Sequence, residues 1–558
     1  MKQSRLKNGF RNSIMLFALA CFSITNAQNT KKPNVLILWG DDIGTTNISA
    51  YSDGLMGYTT PNIDRLANEG LRFLHYYGEQ SCTAGRAALL TGQHGLRTGL
   101  TKVGFPGAPM GMSQLDPSIG GIMKNLGYVT GQFGKNHVGD RNESLPTVNG
   151  FDEFFGNLYH LNAEEEPELP DYPKDPEYLK KFGPRGVLKC IATNSDDATT
   201  DPRFGRVGKQ RIEDTGPLTK KRMETIDDET SAAAIDFIKR QTAAGKPFFC
   251  WFNATRMHLR THVRAEHRGR YTHGDSEYID GMIEHDLTIG DILKALDDLG
   301  IADNTIVVYS TDNGPHMNTW PDGAMTPFRS EKNTNWEGAF RVPCIVRWPG
   351  AIKPGQVTTE LMSHNDWIPT LATIAGEPDL TNKLLKGYNA NGKTYKVHLD
   401  GFDQSNFLLG KTQKSARDKF FYTDDDGLLV GLREGDYKYV FAEQRLGGTM
   451  GVWAEPFTKL RLQKIFNLYQ DPFERADITS NTFWDYQLNH VQLMYGAIQD
   501  VVVFAETFKE YPPRSIPPSF SAYTIMEEAM KDIKAQKYIE KNVLPKLKED
   551  ETEAKKKK

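Results

Sequence analysis

The sequence contains few cysteines, and no two of them have the spacing of a metal or redox pair. Five cysteines occur in 558 residues, and no Cys-x-x-Cys motif is present. This absence excludes a zinc ribbon and a thioredoxin-like site. Cys250 and Cys344 lie in apolar runs, which indicates small buried residues rather than disulfide partners. Cys82, in contrast, lies in a polar turn.

The chain also lacks an excess of positive charge and several common catalytic motifs. Lys and Arg number 67 against 71 Asp and Glu, so we expect no nucleic-acid partner. Neither Gly-x-Ser-x-Gly nor His-Glu-x-x-His occurs, and Gly410-Lys411-Thr412 lacks the earlier glycine of a phosphate loop because residue 405 is Ser. The enzyme classes that depend on these motifs are therefore excluded.

No apolar run near the N-terminus is long enough to span a bilayer. Residues 1–27 hold four basic residues, no acidic ones and the apolar run 14–24, and they end in small residues before Gln28. This pattern predicts a signal peptide cleaved before Gln28. Removing its four positive charges takes the net charge from -4 to -8. We expect an exported protein, periplasmic or secreted, without an integral membrane segment. Lipid attachment at Cys21 is disfavoured because Cys21 lies inside the apolar run.

Near-continuous apolar runs predict the strands of a parallel sheet covered on both faces. The four clearest runs are Asn34–Trp39, Tyr128–Phe133, Pro247–Phe252 and Thr305–Ser310. Amphipathic helical patterns lie between them, at Pro61–Gly70, Asp228–Lys239 and His285–Leu299. We therefore predict an α/β fold with a large, mostly parallel sheet between helices.

The second part of the chain has a different pattern of apolar and polar residues. From about residue 400, short alternating runs around an Asp424-Asp-Asp-Gly427 turn predict a small antiparallel sheet with a helix. We predict a catalytic domain over residues 28–399, a C-terminal subdomain over 400–545 and a charged tail over 546–558. The segment 164–225, rich in Pro, Gly, Asp and Lys, is interpreted as a long excursion over the active face.

Polar residues follow each of the four apolar runs. Asp41 and Asp42 follow the first run, and Asp312 and Asn313 follow the last. The carboxyl ends of parallel strands meet at one edge of a sheet, so these oxygen ligands would converge there. Such a cluster repels itself without a cation, and an all-oxygen shell favours Ca²⁺ or Mg²⁺ over zinc. The alternative is that Asp41 caps a helix and that residues 312–314 form a turn.

The segment Cys82-Thr-Ala-Gly-Arg86 is the most specific motif of the chain. It places a cysteine at the predicted start of a short helix, with an arginine one turn later, and Leu90-Thr-Gly92 follows. A helix N-terminus and a guanidinium both favour an anion. An ordinary reduced cysteine is the alternative from spacing alone.

The motif resembles the signature of the type I sulfatases, in which the cysteine is oxidised to formylglycine. Further blocks resemble the family in the family's order, over about residues 33 to 375 and again at Phe466–Pro472. These blocks are Thr60–Gly70, Gly134–His137, Thr311–Gly314, Lys332–Gly338 and Val342–Pro343. Gly85 departs from the pattern, because many members have Ser there. The resemblance implies an alkaline phosphatase-like fold and a maturation partner that generates formylglycine.

The resemblance also implies roles for matching residues. The metal ligands would be Asp41, Asp42, Asp312, Asn313 and an oxygen of the modified Cys82. That residue, as the aldehyde hydrate, would be the nucleophile held by Arg86. His137 would take a proton from its second hydroxyl. Lys135, Lys332 and His258 would surround the sulfate and offer a proton to the departing oxygen.

Four residues after the second metal pair are candidates for a substrate pocket or for surface structure: His316, Trp320, Asp322 and Arg329. The favoured function is hydrolysis of a sulfate ester of a carbohydrate or an aryl alcohol. One alternative is a phosphonate monoester or phosphodiester hydrolase of the same superfamily. The other is a secreted glycan-binding relative without activity, which would not need the full set of reactive residues.

Overall fold

The structure of the chain is a computed structural model that describes residues 32–269, 276–317 and 325–542. Four predicted features lie outside these residues: the signal segment 1–27 with Cys21, the tail 546–558, Trp320 and Asp322. From Asn34 onward, the described residues form one compact unit. No helix among the described residues is both long enough and apolar enough to cross a membrane.

Eighteen strands are distributed over one large and three small sheets among the described residues. The strands are β1 Asn34–Gly40, β2 Leu71–Phe73, β3 Tyr76–Tyr77, β4 Val129–Gly134, β5 Glu153–Asn157, β6 Val187–Asp201, β7 Gly205–Asp214, β8 Phe248–Asn253, β9 Thr305–Thr311, β10 Cys344–Arg347, β11 Gln356–Thr358, β12 Met362–Ser363, β13 Tyr388–Ala390, β14 Lys393–Tyr395, β15 Lys419–Thr423, β16 Leu429–Glu434, β17 Tyr437–Glu443 and β18 Thr458–Asn467.

The large sheet has ten strands in the order β11-β2-β10-β9-β1-β8-β4-β5-β6-β7. Its centre, from β9 to β5, is parallel throughout, whereas β10, β6 and β7 run antiparallel to their neighbours. The four apolar runs of the sequence are four of the five strands in this centre. The predicted mixed, mostly parallel sheet is therefore confirmed.

Helices cover both faces of the sheet. Those of seven residues or more are α1 Pro61–Glu69, α2 Cys82–Thr91, α3 Ile119–Asn125, α4 Pro176–Phe182, α5 Ile226–Ala243, α6 Glu277–Asp298, α7 Trp367–Ile374, α8 Leu380–Lys386, α9 Phe483–Asn489, α10 Leu493–Glu510 and α11 Ala522–Asn542. Side chains alternate along β1, so Ile37 and Trp39 pack with α2, α3 and α7, while Leu36 and Leu38 pack with α1, α5 and α6. Both faces of the central strands are thereby buried, which explains their near-continuous apolar sequences.

The segment 164–225 differs from the prediction. Its middle forms the long hairpin of β6 and β7, which extends the large sheet beyond β5. The outer part of β6, from residue 193 to 201, is mostly exposed, and exposed strands need no apolar face. That is why this hairpin has the composition of a loop.

The C-terminal antiparallel sheet is confirmed and has four strands in the order β15-β16-β17-β18. Strand β18 was not predicted, since much of Thr458–Asn467 is exposed or half-buried. Helix α10 packs on one face of the sheet, with Met494 and Ala497 against Leu432 and Ile465. Phe420 packs against the body of the molecule. This packing brings the turn after β15 toward the carboxyl ends of the central strands.

Candidate active site

The carboxyl ends of four adjacent central strands carry the predicted site residues. Asp41 and Asp42 follow β1, Lys135 and His137 follow β4, His258 lies beyond β8, and Asp312 and Asn313 follow β9. These seven side chains are all buried. The structure brings them together although they are far apart in the sequence, as expected for residues that follow the carboxyl ends of parallel strands.

The carboxylates form a compact oxygen cluster. Donor atoms of Asp41, Asp312 and Cys82 all lie within 4.8 Å of one another. Asp42 accepts a hydrogen bond of 2.7 Å from the Asn313 side chain, and its backbone N–H donates to Asp312 Oδ1 over 3.2 Å. Burial, together with the nearby charge of Asp41, raises the pKa of Asp312 to about 6.

This cluster fits a divalent cation. Asp41 Oδ1 and Asn313 Oδ1 are buried and have no hydrogen-bond partner among the described residues. Buried acceptors without partners are costly, and oxygen ligands are those that Ca²⁺ and Mg²⁺ prefer. An ion held by Asp41, Asp42, Asp312 and Asn313 would satisfy both atoms and remove the carboxylate repulsion.

Three buried cations face the carboxylates. Lys135 Nζ lies 2.6 Å from Asp41 Oδ2, and Lys332 Nζ lies 2.7 and 2.9 Å from the two oxygens of Asp42. Although burial opposes it, the positive charge of Lys332 holds the pKa of Asp42 well below its usual range. Each lysine therefore lies beside a candidate metal ligand.

Arg86 is the third cation. Its Nε and Nη2 atoms donate to Asp312 Oδ2 over 3.1 and 2.9 Å, and its Nη1 atom donates to the Lys135 carbonyl and to Asn253 Oδ1 over 3.1 and 2.9 Å. In this structure, Arg86 thus positions a candidate metal ligand and the chain after β4. A contact with a diol at residue 82 stays a prediction.

Helix α2 places Cys82 at its first position, directly after Ser81. The helix lies so close to β9 that a Cβ atom on Gly85 would be 2.0 Å from the carbonyl oxygen of Asp312. This approach gives a physical reason for a glycine at residue 85.

The Cys82 thiol is enclosed by the charged groups. Its Sγ atom lies 2.9 Å from Lys332 Nζ and 3.9 Å from Asp42 Oδ1. Burial raises the pKa of this thiol to about 12, despite the nearby lysines. An unmodified Cys82 is therefore a neutral thiol at physiological pH, which is a weak nucleophile.

His137, His160 and His258 lie together on the wall of the cavity in front of Cys82. His258 donates through Nδ1 to the Leu259 carbonyl over 3.1 Å, which leaves Nε2 facing Lys332 Nζ at 3.5 Å. His160 stacks on His258 with ring centroids 5.1 Å apart, and the ring of His137 lies 5.4 Å from that of His160. Burial, together with nearby positive groups, holds the pKa of each histidine well below its usual value, so all three are neutral.

His160 was missed by the sequence analysis. It follows β5, the fifth parallel strand of the centre, so it lies beyond the carboxyl end of a parallel strand as the predicted residues do. Two basic residues close to His258 in the sequence are engaged elsewhere: Arg256 pairs with Glu284 at 2.6 Å, and His262 pairs with Glu165 at 2.8 Å. These contacts favour His258 over its sequence neighbours as a residue of the site.

The cavity in front of Cys82 has a volume of about 220 Å³. Of the predicted pocket residues, His316 lines it, whereas Arg329 does not. Arg329 lies over the ring of Trp336 and pairs with Asp477 at 2.8 Å, so the structure assigns it to packing beneath the C-terminal sheet. Trp320 and Asp322 are outside the described residues. The lining residues that were not predicted include Lys102, Asp425, Trp453 and Phe520.

Comparisons with known proteins agree with this geometry. The sulfatase family model matches residues 33–377. Human arylsulfatase A is 32% identical over 426 residues, which are 74% of this chain and 76% of that protein. Dog N-acetylgalactosamine-6-sulfatase is 29% identical over 83% of this chain and 85% of its own length.

A solved structure is also similar. The PsFucS1 sulfatase from Pseudoalteromonas sp. superposes with a TM-score of 0.74 at 28% identity, covering 91% of this chain and 96% of that one. Since the family match spans more than half of the chain and includes the strand-end residues, the chain is a sulfuric ester hydrolase that belongs to the sulfatase family.

Proposed function

We propose that the protein is an exported sulfatase that uses a formylglycine made from Cys82 and a bound Ca²⁺, or Mg²⁺, to hydrolyse the sulfate ester of a carbohydrate or an aryl alcohol. The observation that carries the proposal is the position of Cys82. It lies at the start of a helix, on the wall of a cavity, within reach of three carboxylates and Lys332.

Conversion of Cys82 to formylglycine would provide the site with a nucleophile that the thiol does not supply. A neutral thiol with a pKa of about 12 is poorly activated for attack on sulfur. A hydrated formylglycine would supply two hydroxyl groups on one carbon, one to attack and one to lose a proton as sulfate departs. The motif Cys82-x-Ala-x-Arg86 supports maturation by a formylglycine-generating enzyme.

The proposed cation would be held by Asp41, Asp42, Asp312 and Asn313, with an oxygen of the modified residue 82 as a further ligand. In the described site, Arg86, Lys135 and Lys332 balance the three carboxylates. A divalent cation would therefore give the site a net charge of about +2, which favours an anionic sulfate ester. This positive charge would also stabilise negative charge that develops in the transition state.

The chain's own residues would divide the proton transfers. His137 is neutral because burial lowers its pKa, and its Nδ1 atom has no hydrogen-bond partner among the described residues. It can therefore accept a proton from a hydroxyl at residue 82. Lys332 and the Nε2 atom of His258 face each other at 3.5 Å, and we assign to this pair the proton for the departing ester oxygen. Lys135 would help to bind the sulfate.

Export is supported by residues 1–27, which have the composition of a signal peptide. The cysteines of the described part, Cys82, Cys190, Cys250 and Cys344, are buried and form no disulfide. Oxidation of Cys82 to formylglycine therefore competes with no disulfide among these residues.

The test of this function is sulfate release by protein coexpressed with a formylglycine-generating system. The panel contains sulfated mono- and oligosaccharides, a small aryl sulfate, a phosphodiester and a phosphonate monoester. Turnover of at least one sulfate ester, well above that of the phosphorus esters, is expected. Preferred turnover of a phosphorus ester would instead support the phosphonate or phosphodiester hydrolase, and glycan binding without any turnover would support the inactive relative.

A further inference from the structure

The outer wall of the cavity contains a charged pair and an aromatic platform to which the mechanism assigns no role. We infer that Lys102, Asp425 and Trp453 form a subsite that recognises the hydroxyl groups of a neutral sugar carrying a single sulfate ester. This inference rests on the proposed function, because it identifies the alcohol part of the sulfate ester.

The charged pair joins two distant parts of the chain. Lys102 lies in the loop after the short helix Gly95–Thr98, and Asp425 lies in the turn between β15 and β16. Lys102 Nζ is 3.5 Å from Asp425 Oδ2 and also contacts Asp426. The small C-terminal sheet thus completes the cavity.

Lys102 and Asp425 are held in place. The Thr101 hydroxyl donates to the Asp425 carbonyl over 2.6 Å, and the ring of Phe520 lies 5.0 Å from Lys102 Nζ. The side chains of Lys102 and Asp425 are only 11% and 13% exposed. An ion pair that is this enclosed has fewer alternative positions than a surface pair, so it can orient a ligand.

Trp453 lines the same cavity as the charged pair and lies close to Lys332. It belongs to the short helix Gly451–Ala454, and its ring centroid is 5.8 Å from Lys332 Nζ and 6.3 Å from the ring of His316. Its ring is partly exposed and lines the cavity. A ring that carries a sulfate bound at Lys332 would therefore lie against Trp453.

These three side chains match the chemistry of a sugar. The ammonium of Lys102 donates hydrogen bonds and the carboxylate of Asp425 accepts them, so together they can bind neighbouring hydroxyl groups. The indole of Trp453 can pack on the C–H face of a sugar ring. A simple aryl sulfate could use Trp453 but has no hydroxyl groups for the charged pair.

The size and charge of the wall narrow the substrate further. A cavity of about 220 Å³ is smaller than the roughly 300–1,000 Å³ of sites for drug-sized ligands, so it suits one sugar ring. Asp425 balances the charge of Lys102 on this wall, and the exposed Asp426, which Lys102 also contacts, adds negative charge beside it. A second sulfate or a carboxylate on the same ring would be repelled.

The experiment compares monosulfated neutral hexoses and N-acetylhexosamines, their disulfated forms and a small aryl sulfate, using the full-length matured protein. In Asp425→Asn and Lys102→Met, we expect kcat/KM for the best monosulfated sugar to fall about 10- to 100-fold, since each variant loses a hydrogen bond to a charged group. For the aryl sulfate, kcat/KM should change less than about threefold. Trp453→Ala should reduce turnover of both substrates.

Two features keep the outcome decisive. The ratio of sugar to aryl turnover in one sample does not depend on how much of a variant is folded. The matched control is Asp298→Asn, which alters the exposed pair of Lys294 and Asp298 at 2.6 Å and should leave both rates unchanged.

Equal losses on both substrates in the Lys102 and Asp425 variants would overturn the inference while leaving the sulfatase function intact. Wild-type protein that hydrolyses the aryl sulfate but no monosulfated sugar, or that prefers the disulfated forms, would do the same. Wild-type protein that hydrolyses no sulfate ester would overturn the proposed function itself, and the inference with it.

Discussion

Replacing Arg86 with lysine tests whether the buried guanidinium holds the site together. Arg86 spans two sides of the cluster, with two hydrogen bonds to Asp312 and one each to the Lys135 carbonyl and the Asn253 side chain. A lysine keeps the positive charge, but its single ammonium cannot reach both sides. The Arg86→Lys variant therefore isolates the contribution of the fork geometry from that of the charge.

The expected loss follows from the acceptors left behind. If the lysine keeps the contact with Asp312, the Lys135 carbonyl and Asn253 Oδ1 both lose a donor. A buried acceptor without a partner costs about 1–3 kcal/mol. The free energy of unfolding should therefore fall by about 2–6 kcal/mol in total. Sulfatase activity should fall as well, because Asp312 and the chain after β4 lose their common anchor.

Urea unfolding, followed by fluorescence, measures this loss. The matched control is Arg240→Lys, because Arg240 also makes paired hydrogen bonds, to Glu153 and Asp236, but is 46% exposed. Exposed ion pairs contribute only about 0–1 kcal/mol, so this control should lose much less stability. A loss in Arg86→Lys no greater than that in Arg240→Lys would refute the reasoning.

Three further predictions concern the cation and the histidines. Chelation should abolish activity and lower the Tm, because a cation that binds only the folded state stabilises that state. The Asp312→Ala variant should show the same two losses. An Asp312→Ala protein with normal metal content and a normal rate would contradict the assignment. Without metal, the pKa of Asp312 is raised from 3.8 to about 6. The stability contributed by the protonated Asp312 side chain is therefore present below pH 4 and is lost as the pH rises through 6. Calcium must displace this proton, so its affinity, measured by calorimetry, should rise between pH 5 and pH 7, and an affinity independent of pH would oppose the assignment. The His137→Ala variant should release alcohol in a burst, with sulfate release lagging behind. The His258→Ala variant should instead slow alcohol release, more for sugar sulfates than for activated aryl sulfates. Rapid-quench traces that show equal losses and no burst in both variants would argue against this division of roles.

The parts of the site that follow buried strands could be predicted from the sequence. β1 and β9 are apolar on both faces, so their ends were evident, and with them Asp41, Asp42, Asp312 and Asn313. Strand β5 is short and only partly apolar, so its end was not recognised and His160 was missed.

The outer wall could not be predicted in the same way. Lys102, Asp425 and Trp453 belong to a loop, a turn and a four-residue helix, and they meet only because the C-terminal sheet packs on the large one. No periodicity in the sequence encodes such a contact. Arg329 could not be placed from the sequence either, since it follows the metal pair closely in the chain, while the fold directs it to Trp336 and Asp477.

The most direct test of the account is the chemical state of residue 82 measured beside activity. Trypsin should release residues 73–86 as one peptide, which contains Cys82 and ends at Arg86. Mass spectrometry of preparations matured to different extents gives the fraction of aldehyde in this peptide. We predict that the rate of sulfate release is proportional to that fraction and is zero for the thiol form. Full activity in protein whose Cys82 is entirely unmodified would contradict the central claim.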